Sequence, residues 1–146
     1  MSTTGKVITF GTVSGIIWSL IPGSLVGLFQ SSKESIGVVF AGLLTGIIVS
    51  LAFKTPLMKL GKGWSLFFGI LALPFGAYVF GCVFSDIYQS GWFLDSQYGL
   101  SNAFQVGIDY VIVSVISLFA VILFPLAILT TLILRCVIHS GEKQAG

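Results

Sequence analysis

Residues 7–29 read VITFGTVSGIIWSLIPGSLVGLF, an uncharged run with a small residue at every fourth position: Gly11, Gly15, Ser19, Gly23 and Gly27. A helix needs about 20 apolar residues to cross the hydrocarbon core of a bilayer, and this run exceeds that length. Glycine is a costly choice inside a water-exposed helix, because it gives up the most backbone freedom on folding. In a lipid-embedded helix the same residue lets a second backbone approach closely, and that approach drives membrane helices together. The run therefore reads as a membrane span shaped for tight packing. Four residues turn a helix by slightly more than a full circle, so the stripe drifts about 40° per step and suits a right-handed crossing.

The rest of the chain agrees with a membrane setting. Of 146 residues, 55% are apolar and 8% are charged. A soluble domain carries about 25% charged residues, so this chain has too few to clothe a water-facing surface. The length suits a single domain over residues 1–146. Further apolar runs fall at about 36–53, 64–84 and 111–134. They are continuous, whereas strands of a membrane β-barrel alternate in polarity. The fold class expected is an all-α integral membrane protein with four transmembrane helices in an up-down-up-down bundle. The first run resembles the apolar part of a signal peptide. It is longer than such a region and no Ala-x-Ala-like site follows, so an uncleaved span is expected.

Charge orients the bundle. Lys6 precedes the first run, Lys54, Lys59 and Lys62 lie between the second and third, and Arg135 and Lys143 follow or close the fourth. All six share one side of a four-span chain. The other side holds Lys33 beside Glu34, and a loop at about 85–110 without Lys or Arg. The positive-inside rule then places both termini in the cytoplasm, with a bacterial inner (plasma) membrane as the expected location. Pro56, just past the second run, is expected to end that helix.

Within the membrane, Gly42, Gly46 and Ser50 repeat the four-residue spacing in the second run, as do Ala77, Gly81 and Ser85 in the third. The simplest packing sets spans one and two face to face along their glycines; the alternative uses one stripe between protomers. Pro22, Pro74 and Pro125 each remove a backbone donor, and are expected to kink their helices. Nearby hydroxyls at Ser19, Ser114, Ser117, Thr130 and Thr131 are candidate partners for the freed carbonyls. Asp86 and Asp109 flank the long loop and would sit at the outer mouth of any passage. The loop carries Tyr88, Trp92, Phe93 and Tyr98, with Phe104 beyond, and amphipathic rings prefer the headgroup level, so an interfacial segment is expected. Asn102 and Gln105 have the spacing of a capping box that would start a helix leading into the fourth span.

The chemistry that is missing narrows the function. One histidine, His139, lies in the tail, and no Lys, Asp or Glu falls near a bilayer centre, where proton relays and coupled pumps place ionisable groups. Cys82 and Cys136 lie at different expected depths and form no CxxC motif, which argues against a disulfide, a thiol relay or a zinc site. The scattered lysines make no nucleic-acid surface. No cofactor and no catalytic or metal residue is expected. The leading expectation is a non-enzymatic subunit of a membrane complex, with the lipid bilayer and further copies or other membrane subunits as partners. The alternative is a homo-oligomeric pore, channel or small-solute transporter. An enzyme acting on lipids ranks far behind, for want of a nucleophile with a positioned base.

Overall fold

Lipid offers no hydrogen-bonding partner, so a run rich in Val, Ile and Phe must satisfy its backbone internally, and a helix does so within one segment. The structure, a computed structural model, describes residues 2–25, 32–89, 100–117 and 120–142. Among them five helices follow in order: α1 (Thr3–Leu25), α2 (Ser32–Lys59), α3 (Lys62–Gln89), α4 (Leu100–Ile116) and α5 (Ala120–Glu142). No strand occurs among the described residues. Four of the helices, α1, α2, α3 and α5, contain stretches long and apolar enough to cross a membrane; α4 is a shorter apolar helix. Ser2 caps α1, its hydroxyl accepting from Gly5 N at 3.2 Å.

The most extensive contact joins α1 to α2. Gly11 faces Gly46 and Gly15 faces Gly42, so the two helices run in opposite senses. A methyl group added at Gly11 would lie 2.7 Å from the Gly46 carbonyl oxygen, and one added at Gly15 would lie 2.9 Å from Gly46 Cα. Only hydrogen fits there. Ser19 continues the face and is buried against Gly42. Gly23 lies within α1, but its surroundings and Gly27 lie outside the described residues.

Two clusters of buried side chains close the bundle. Near the basic end, Val7, Phe53, Leu57, Leu134 and Ile138 join α1, α2 and α5, with Phe68 and Phe75 of α3 packed against them. Toward the other end, Val38, Ala41, Phe80, Phe84 and Ile87 join α2 to α3, with Tyr110 of α4 beside them. Polar bonds lace the basic end. Lys54 Nζ donates to Thr4 Oγ1 at 2.6 Å, tying α2 to α1. Arg135 Nη1 donates to Gly61 O at 2.9 Å and to Ser65 Oγ at 3.0 Å, tying α5 to the α2–α3 turn. Arg135 therefore crosslinks three elements, a role that its place at the end of an apolar run did not reveal.

Three sequence expectations need correction. The stretch at about 85–110 is not a loop throughout: α3 runs on to Gln89 and α4 begins at Leu100. Tyr88 is accordingly part of α3, while Trp92, Phe93 and Tyr98 lie outside the described residues. The fourth run, 111–134, is not one helix either. It divides between α4 and α5, with Ser117 N bonded to Val113 O and Ala120 N to Ser117 O across the break. Two close contacts on α3 explain this. Gly107 of α4 sits on Gly81, and Ile128 of α5 sits on Gly69. A straight helix would hold residues 107 and 128 about 31 Å apart, whereas residues 69 and 81 are about 18 Å apart along α3. One unbroken helix cannot reach both. Finally, Pro56 lies inside α2, which continues to Lys59 before Leu60 N bonds back to Pro56 O at 2.9 Å.

Gly15→Val and Gly46→Val are each expected to cost about 1–3 kcal/mol or more, because backbone blocks the added methyls. The check is the midpoint of unfolding in mild detergent. Gly61→Ala, whose added methyl meets nothing within 4 Å, is expected to leave the midpoint unchanged.

Candidate functional site: an apolar cavity within the bundle

Helices that touch at glycines and separate elsewhere leave space between them. Here the space is a cavity of about 200 Å³ between the two buried clusters, walled by residues from all five helices. Phe53 and Leu134 bound it toward the basic end; Phe80 and Tyr110 bound it toward the other. Its sides include Trp18 and Ser19 from α1, Thr45 and Val49 from α2, Gly76 and Ala77 from α3, Ser114 from α4 and Ser117 just past its end, and Ala127 and Thr130 from α5.

Several residues of the wall carry hydroxyls, and four of these oxygens turn toward their own helices. Ser19 Oγ donates to Ile16 O at 2.7 Å, Ser114 Oγ to Val111 O at 2.9 Å, and Thr131 Oγ1 to Ala127 O at 2.9 Å. Thr130 Oγ1 donates to Leu126 O at 2.8 Å and accepts from Trp18 Nε1 at 3.1 Å, which joins α1 to α5 across the cavity wall. These hydroxyls were candidates to serve the carbonyls freed by proline, and the structure commits the four to other carbonyls. Pro74 and Pro125 lie inside α3 and α5, and neither ends its helix. Pro22 falls within α1, with its side chain outside the described residues. The Thr45 hydroxyl is buried without a partner, as is that of Ser85 on α3.

The small residues singled out from sequence serve two purposes. Gly15, Ser19, Gly42 and Gly46 make the α1–α2 contact and also line the cavity, which Ser50 and Ala77 line as well. Gly81 instead receives α4: a methyl there would lie 2.9 Å from Gly107 Cα. The partners along this contact advance together. The Tyr78 ring stacks on Phe104 at 6.4 Å, Gly81 meets Gly107, and Phe84 lies 6.4 Å from Tyr110. Thus α4 crosses α3 in the same sense rather than returning along it. Gly107 and Gly69 were missed in the sequence. For Gly107 a signal existed, since Gly99, Ala103 and Gly107 repeat the four-residue spacing inside the stretch read as loop.

The acidic pair stands apart from this cavity. Asp86 and Asp109 are both exposed and neither lines it. Asp109 accepts from Gln105 Nε2 at 3.2 Å, one helical turn away, so Gln105 is engaged within α4 rather than in a capping box with Asn102. Cys82 and Cys136 are free thiols on α3 and α5. Among the described residues, no three His, Cys, Asp or Glu side chains gather as a metal site would require.

Comparison with known proteins adds no relative: no family model, curated protein or solved structure matches the chain.

The Trp18–Thr130 bond is expected to couple its partners by about 1 kcal/mol, the scale of interhelical bonds in membrane bundles. A double-mutant cycle of Trp18→Phe and Thr130→Val, read by denaturation in detergent, measures it. Strictly additive losses would show that the bond contributes nothing.

Proposed function

We propose that this chain is a non-enzymatic subunit of a membrane complex, crossing a bacterial inner membrane four times with both termini in the cytoplasm. The orientation draws on the charges. Lys6, Lys54, Lys59 and Arg135 fall at the same end of the helices, drawn together there by the Lys54–Thr4 and Arg135–Gly61 bonds. The positive-inside rule assigns that end to the cytoplasm. Trp64 at the start of α3, half exposed and edge-on to Phe67 at 5.6 Å, suits the headgroup level on that side.

The observation that carries the subunit reading is how the chain spends its polar and small residues. The glycine face of α1 is used against α2 within one copy, so it is not free for assembly. What faces outward is a stripe on α3, where Trp64, Leu66, Phe67, Ile70 and Leu71 are 42–53% exposed. Such a stripe meets either lipid chains or the helix of a neighbour. The described lining of the cavity carries no ionised side chain, and the hydroxyls of Ser19, Ser114, Thr130 and Thr131 are bonded within the bundle. This interior supports packing and docking rather than bond-making chemistry.

A fluorescent protein fused to the C-terminus is expected to mature and fluoresce, and alkaline phosphatase at the same place is expected to stay inactive. The reverse pair would invert the topology. Native mass spectrometry of gently extracted protein at natural abundance is expected to find it with other chains or with copies of itself. A lone monomer would overturn the subunit reading. A homo-oligomer that passes ions in liposomes would instead favour a pore between copies, with Asp86 and Asp109 at its mouth.

A further inference from the structure

The cavity inside the bundle has a chemistry of its own. Its volume is about 200 Å³, and its wall is almost wholly hydrocarbon, with the hydroxyls of Ser19, Ser114 and Thr131 turned to their own helices. A buried water needs two to four polar partners, and an apolar cavity stays dry. A dry cavity of about 150 Å³ accepts benzene, so this one has room for about eight hydrocarbon carbons. No charged side chain is among its described lining residues, which leaves a polar headgroup no ionic partner there.

The cavity also borders the weakest seam of the bundle. Of the helix pairs whose backbones approach closely, α4 and α5 do so least, and the α4 backbone comes close to neither α1 nor α2 among the described residues. The break between α4 and α5 lies on the cavity: Ser117 and Leu123 on either side of it both line the wall. In a membrane, non-helical backbone persists where protein or a cavity shelters it. Just outside, Ile116 and Val121 are 77% and 76% exposed, a surface made for lipid chains.

We infer that the cavity is a binding site for a hydrocarbon segment of about eight carbons, entering from the bilayer through the α4–α5 seam. The segment is either the end of a lipid acyl chain or a small free hydrocarbon; both present the same chemistry to the wall. The site lies inside one copy of the chain, so it stands or falls independently of the subunit reading.

Trp18, on the cavity wall, reports occupancy once Trp64→Phe and Trp92→Phe remove the other two tryptophans. Bromooctane titrated into nanodiscs of plain lipid is expected to quench Trp18 saturably. In a separate arm, the nanodiscs are built from lipid brominated near the acyl-chain ends. Gly76→Leu fills the cavity: a methyl at Gly76 meets Val49 alone, at 3.9 Å, so the new side chain has room. It is expected to weaken bromooctane quenching about tenfold or more. If it also abolishes quenching by brominated lipid, the natural occupant is an acyl chain. If brominated lipid quenches both forms equally while bromooctane distinguishes them, the occupant is a free hydrocarbon. Quenching by both probes that is unchanged in folded Gly76→Leu overturns the inference. Xenon NMR on the unsubstituted protein keeps the test open should the variant not fold: a saturable xenon site supports a dry cavity, and none overturns it.

Discussion

The backbone contact between α1 and α2 is the constraint on which the rest of the structure depends. Between helices in lipid there is no hydrophobic drive to association, since lipid tails are as apolar as leucine. What remains is dispersion, hydrogen bonding and shape, and dispersion fades over fractions of an ångström. Gly11 and Gly15 set against Gly42 and Gly46 bring two backbones to where no side chain fits. That contact directs Val7 toward Phe53 and Leu57, and presents Trp18 to Thr130 of α5. Helices that meet so closely at one place must spread around larger side chains elsewhere. The cavity lies where they spread, between the two buried clusters.

The same physics acts again on α3, which receives three neighbours. Gly81 admits α4, Gly69 admits α5, and the phenylalanines at 68, 75, 80 and 84 fill the space toward α2, α4 and the cavity. Aromatic pairs such as Phe53–Phe75 and Phe80–Phe84, with centroids 5.8 Å apart in each, add contact where glycine is absent. Satisfying both glycine contacts divides the last apolar run in two. The break is thus a consequence of packing along α3, and it leaves the seam beside the cavity.

Legibility from sequence varied with the kind of information required. The helical class and the presence of long apolar helices could be read from runs of uncharged residues, because transfer into lipid and internal backbone bonding act on each segment alone. The residues of the α1–α2 contact were legible because their spacing is regular. Gly107 was not, although its spacing was equally regular, because it lies between two apolar runs, in the stretch read as a loop. The hydroxyls were visible as residues, but their partners were not. Ser19, Ser114, Thr130 and Thr131 turned to their own helices, and Trp18 found Thr130 across 112 positions of chain. The cavity had no local signature at all, since it is bounded by residues of five helices and defined by what lies between them.

By itself the sequence determined those properties that add up residue by residue: an all-helical chain, four stretches long and apolar enough for a bilayer, and basic residues in the segments flanking those stretches. Each follows from the solvation of one segment, independent of its neighbours. Only the tertiary structure decided that α3 and α4 run in the same sense, that the final apolar run is divided between α4 and α5, that Pro56 lies within α2, and that an apolar cavity remains between the helices. These depend on which surfaces come within contact of each other. Close packing at Gly69 and at Gly81 competes for the same stretch of chain, and no single segment carries the outcome of that competition.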